Sequence, residues 1–190
     1  MTANKLKLNK DKTELIVISS QHRPRPQLDT LIFGSERVFS TNAARNIGVT
    51  MDDKINFEKQ VASISKSYFC HIRNIARIRR FLSEESTKAL VHAFFTCSLD
   101  NCSSLLYGLP KIQIEKLQRV QNCSARLVVN ARRLDHITPV LRDFRWLPVE
   151  QRIILNILLF TFKALNGLAH SYLKDLVKFY VLEHDLRSSS

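Results

Sequence analysis

Glycine is scarce: the 190-residue chain has four, against five prolines and a single tryptophan. That leaves no glycine-rich loop to cradle a nucleotide's phosphates, and no GxSxG elbow to present a nucleophilic serine. Cysteine is present but never paired. Cys70, Cys97, Cys102 and Cys123 include no CxxC pair, and no Cys/His set has zinc-ligand spacing. Cys97 and Cys102, in one apolar helical run, are expected to be buried thiols on one helix, in a reducing compartment. The histidines are far apart, and His92, on an apolar helix, reads as a core residue. Long apolar runs are missing too. The longest, Ile153–Phe160, is broken by Asn156 and bracketed by Arg152 and Lys163, well short of the roughly 20 residues that span a bilayer. The polar, lysine-rich N-terminus is unlike a signal peptide. These absences predict an intracellular protein, nuclear or cytoplasmic, without a membrane partner.

Positive charge is abundant. Lys plus Arg is 29 against 17 for Asp plus Glu, a net charge of +12. Such a balance attracts polyanions, and nucleic acid is the obvious class. Apolar residues are 45% of the chain, enough for a globular core.

The hydrophobic pattern changes period near residue 55. Before it, Glu14–Ser19 reads as a strand, Gln21–Gln27 as a turn, Leu31–Phe33 and Arg37–Ser40 as a hairpin about Gly34-Ser35, and Asn46–Met51 as a further strand. After it, Val61, Ile64, Tyr68, Ile72, Ile75, Ile78 and Leu82 recur at helical spacing. Ser83 followed by Glu84 and Glu85 caps a second helix, expected to run on to Gly108 and Pro110. A third helix is predicted from about Lys111 to Asn130 and a short one over Thr138–Phe144, with Pro139 in its first turn. Val149–Leu165 is apolar on nearly every face and is expected to be a buried central helix ended by Gly167. An amphipathic helix is predicted over Ser171–Tyr180, and the tail Leu186–Ser190 reads as a truncated end. The fold class is therefore α+β, mainly α: a helical bundle with a small N-terminal antiparallel β element. The chain divides into residues 1–55, 56–130 and 131–190.

The cations are not scattered. Lys59, Lys66, Arg73 and Arg80 are spaced by seven, with Arg77 beside them, and no acid occurs between Lys59 and Ser83. At 100° per residue they share one side of a helix, opposite its apolar face. Arg119, Arg126 and Arg133 repeat the spacing. Charged faces normally mix signs, whereas a stripe of one sign is offset by a nucleic-acid backbone. No pattern that reads bases is present, so contact is expected to be sequence-independent.

Met51-Asp52-Asp53 resembles the paired aspartates of a two-metal polymerase. Such a centre needs a third carboxylate from an earlier strand, and Asp11, Glu14, Asp29 and Glu36 all fall in turns or at strand edges. Thr50 also stands where the polymerase motif has an aromatic. A strand-end turn explains the pair.

Four blocks carry a resemblance: LKLNKDKTELIVI (Leu6–Ile18), ARNIGVTMDDKINFEKQV (Ala44–Val61), CSLDNCSSLLYGLPKIQIEKLQRVQNCSARLV (Cys97–Val128) and HITPVLRDFRWLPVEQRI (His136–Ile153). In this order and spacing they resemble the reverse transcriptases of LINE-type (non-LTR, jockey-like) retrotransposons. The resemblance implies the end of the palm, the thumb and the region after it. The catalytic aspartates would lie upstream, so this chain is expected to be no enzyme by itself. No cofactor is expected for it, although the parent RNA-directed DNA polymerase would use magnesium. Lys12 would match a palm lysine, and Asn46, Ile47, Gly48 and Val49 the primer-grip hairpin. Residues from about 56 would track the template–primer duplex. The chain departs from the family pattern at Asn101, Ser103, Arg145 and Ser171. A different function class remains open: a transposon-derived helical domain that binds a protein partner through an apolar helix surface.

Overall fold

The computed structural model describes residues 9, 12–19, 28–33 and 36–177. The turn expected at Gln21–Gln27, the Gly34-Ser35 loop and the tail Leu186–Ser190 lie outside them. The fold is α+β and mainly helical, with two small sheets near the N-terminus.

In the first sheet β1 (Leu15–Ile16) pairs with β3 (Glu36–Thr41), which pairs with β2 (Thr30–Phe33). The β2–β3 pairing is antiparallel, with Thr30 opposite Phe39. The β1–β3 pairing is parallel, Leu15 opposite Ser40, so the β element is not wholly antiparallel as expected. The strand over Glu14–Ser19 is also shorter than expected, because its partner β3 ends at Thr41. The Thr41 hydroxyl turns the chain there, within bonding distance of the carbonyls of Leu15 (3.3 Å) and Ala43 (3.1 Å).

The second sheet is a hairpin, β4 (Ala43–Asn46) and β5 (Val49–Asp52), in register Asn46 opposite Val49. The single strand predicted over Asn46–Met51 is thus two strands and a turn. Both turn residues have positive φ, Ile47 at 46° and Gly48 at 82°, as a two-residue type I′ turn requires. A β-branched residue rarely takes that conformation, which hid the turn from pattern reading. At the end of β5 the Asp52 carboxylate accepts the backbone N–H of Lys54 (3.3 Å) and Asn56 (2.8 Å). This is the strand-end turn expected of Asp52.

Helix α1 (Glu58–Ile78) follows and buries Val61, Tyr68 and Ile75. Ile78, expected on that apolar face, is 47% exposed, because the α-helix ends there and a 3-10 turn, Arg79–Phe81, follows. Ser83 caps α2 (Glu84–Val91) by accepting the N–H of Ser86, as its sequence predicts. The long second helix then breaks up. His92–Thr96 is π-helical, α3 covers Cys97–Asp100, and a 3-10 turn covers Ser103–Leu106. The extra residue in a π turn rotates everything after it by about 100°. Three residues expected in the core are not fully buried. His92 is exposed; Cys97 is exposed, and Cys102, half-buried, lies beyond α3 at φ 57°.

Helix α4 (Lys111–Val129) buries Leu117, Val120, Ala125 and Val128 and ends on Asn130 in the left-handed conformation, as an αL cap. Short α5 (Thr138–Asp143) carries Pro139 in its first turn. Helix α6 (Val149–Leu165) has its predicted bounds, but it is not central. Only Val149, Ile153 and Ala164 are buried; Ile154, Leu155, Leu158, Leu159, Phe160 and Phe162 are exposed. Of the last predicted helix, α7 (Ser171–Leu176) is described.

One core runs through all of this, from Val49 and Phe57 through α1, α2 and α4 to Val149 and Ile153. Three polar joints fix α6 to it. Gln118 accepts the N–H of Val149 (2.9 Å), Gln121 donates to the Leu147 carbonyl (2.8 Å), and Arg152 grips Asp100 with two bonds of 2.6 Å. Asn156 adds a bond to Ser103 (2.9 Å).

Candidate nucleic-acid interface

The apolar face of α1 lies against α4, and this orients the basic stripe outward. Lys59, Lys66, Arg73 and Arg77 fall within about 40° of one another around the helix, and all four are exposed. Arg80, also exposed, continues the line from the 3-10 turn. None of the five forms an ion pair among the described residues. At 1.5 Å per residue, Lys59 and Arg77 are about 27 Å apart, roughly eight nucleotide steps of a duplex strand.

Small polar residues adjoin this row. Ser63, Ser67, Cys70 and Asn74 are exposed on the next strip of α1, so no bulky side chain there keeps a backbone away from the cations. Towards the N-terminal end a polar cleft of about 320 Å³ opens between α1, the β4–β5 hairpin and α3, lined by Arg45, Thr50, Ser63, Ser67, Ser98 and Asn101. The serines are missed by a reading that looks only for charge; their signal is the spacing of small residues beside the lysines.

The second row does not survive. Arg119 is exposed on α4, but Arg126 is half-buried and its Nη2 reaches the Asp135 carbonyl at 3.4 Å. Arg133 is exposed but lies in the turn after α4, because Asn130 ends the helix. The seven-residue spacing therefore places three arginines in three environments, not on one face.

The hairpin block is split by burial: Asn46, Ile47 and Gly48 are exposed and Val49 is 4% exposed. Thr50 N–H donates to Gln60 at 2.8 Å, tying the hairpin to the first turn of α1. Lys12 is exposed in a turn ahead of β1, its N–H bonded to the Asn9 carbonyl at 3.3 Å.

Arg79 stands beside the stripe but does not belong to it. Its guanidinium donates to the carbonyls of Leu127 (3.0 Å), Val128 (2.6 Å) and Leu82 (2.8 Å). A cation there satisfies the open end of α4 and complements its dipole. Four neighbouring arginines thus differ in role by a tertiary contact that charge counting cannot see.

The chain was compared with models of protein families, with characterised proteins and with solved structures. None matches. The interface must be judged on its geometry. Among the described residues no group of three or more His, Cys, Asp or Glu side chains is placed to hold a metal, and no helix is long and apolar enough to cross a membrane. A cavity of about 740 Å³ lies away from the stripe between α4, α5 and the start of α6, with Ile114, Leu141, Trp146 and Pro148 in its walls.

Proposed function

We propose that this chain binds the sugar–phosphate backbone of a nucleic-acid duplex along α1, as a catalytically incomplete piece of a LINE-type reverse transcriptase. The observation that carries the binding is the row Lys59, Lys66, Arg73, Arg77 and Arg80, exposed and without carboxylate partners among the described residues. The parentage rests on the four sequence blocks.

The binding is sequence-independent, because nothing on this face reads base edges. With about four or five phosphates neutralised, log affinity against log salt should have a slope near −4, at about −0.9 per contact. Titration of a random-sequence blunt duplex at several salt concentrations measures it. The Lys66→Gln/Arg73→Gln variant should flatten the slope by about 2 and leave folding unchanged. Equal slopes and affinities for the two proteins would leave the row as solvated surface. In the same preparation a primed template with magnesium is expected to give no extension product.

A second reading is supported by α6. Its uncovered apolar side, including Leu158 at 60% and Phe162 at 57% exposure, suits a protein partner, since contiguous exposed apolar area marks interfaces.

A further inference from the structure

The end of the basic row carries an aromatic ring. Phe81 is 74% exposed, in the turn Arg79–Phe81 that directly follows α1. The Arg80 guanidinium lies over one face of the ring, 4.6 Å from its centre. No other ring or cation contact involves Phe81 among the described residues, so the opposite face is open.

The mount is rigid although the ring is exposed. Arg79, two residues earlier, is held by its three bonds to Leu82, Leu127 and Val128. The N–H of Leu82 returns to the Arg79 carbonyl at 3.1 Å, and Ser83 begins the capped α2. The backbone on both sides of Phe81 is therefore fixed, and a ligand stacking on the ring does not have to order it.

We infer that Phe81, backed by Arg80, is a stacking platform for an unpaired nucleobase at the point where the duplex ends, a site that rests on the duplex-binding reading of α1. A strand followed by Lys59, Lys66, Arg73 and Arg77 arrives at Phe81 about one helical turn beyond its last cation. Every base presents a π-face to a flat aromatic, so recognition is independent of base identity. Paired bases inside a duplex have both faces occupied; an unpaired one next to the duplex end has a face to give. Arg80 serves both partners. Its plane stacks on Phe81, while the N–H groups at its edge remain able to reach a phosphate.

The test compares three probes of one random sequence: a blunt duplex, and the same duplex with a three-nucleotide 3′ or 5′ extension. Each extension carries 2-aminopurine at its first unpaired position. At least one extended duplex should bind about tenfold more tightly than the blunt one, with its 2-aminopurine fluorescence quenched by stacking. Phe81→Ala should abolish both the preference and the quenching, while keeping the salt slope on the blunt duplex, because no cation is removed. Phe81→Trp should retain both. Equal affinity for all three probes, or a preference that persists in Phe81→Ala, overturns the platform. Failure of the wild type to bind the blunt duplex at low salt is a separate result that defeats the duplex-binding reading itself. Far-UV circular dichroism of each variant checks that the fold is kept.

Discussion

At the scale of single residues, Tyr68 shows how one side chain sets a local backbone. Its ring is 3% exposed, and its hydroxyl lies 2.6 Å and 2.8 Å from the carbonyls of Phe94 and Phe95. These carbonyls belong to the π-helical stretch. Burial pushes the phenol's pKa above its ordinary 10.0. Above pH 10 the unfolded chain loses a proton that the folded chain keeps, so rising pH favours unfolding and stability falls through the folded pKa. Tyr68→Phe should therefore cost about 1–2 kcal/mol at neutral pH, from carbonyls left without a donor. It should also make the alkaline decline less steep. Chemical denaturation at pH 7 and across pH 9–11 checks both.

At the scale of elements, the joint between α5 and α6 is built around Trp146. Half-buried, its side chain packs against the main core and against a smaller cluster of Ala125, Ile137 and Leu141, 5.3 Å from the Phe144 ring, and its backbone N–H donates to the Leu141 carbonyl at 2.8 Å. The sequence predicts an anchor here, from a large ring just before a helix start, and the packing agrees. Trp146→Ala should destabilise the protein by about 3 kcal/mol, the loss of an aromatic from a packed site. Equilibrium unfolding in urea measures it, and a change near zero would mean that the ring contributes surface rather than packing.

Across the whole molecule, charge and apolar area are on different elements. A row of exposed cations follows α1, whereas a run of exposed apolar side chains lies on α6. A single substitution separates the consequences. Leu158→Glu, on the exposed side of α6, should change stability by no more than about 0.5 kcal/mol. It should leave duplex affinity unchanged and reduce concentration-dependent association in sedimentation velocity. A large loss of stability would show that this side of α6 is packed in the protein.

The sequence by itself determined the positions of most helices, the cap at Ser83 and the outward face of α1. Each rests on local physics: a period of 3.6, a side chain that accepts its own helix's N–H, and a row of cations opposite Val61, Tyr68 and Ile75. It also carries the end of α4 at Asn130, three residues short of Arg133, so a spacing of seven alone does not put Arg133 on that helix. Only the tertiary structure decided the rest. Whether α6 is buried depends on how many neighbours reach it, and an all-apolar helix is written alike whether covered on every side or on one. The π-helical stretch is bonded by Tyr68 from α1, and Asp100 and Ser103 by Arg152 and Asn156 from α6, all distant in sequence. Arg79 and Arg80 are adjacent and chemically identical; one closes the end of α4 and the other lies on an exposed ring, because the open carbonyls of Leu127 and Val128 are within reach of only the first.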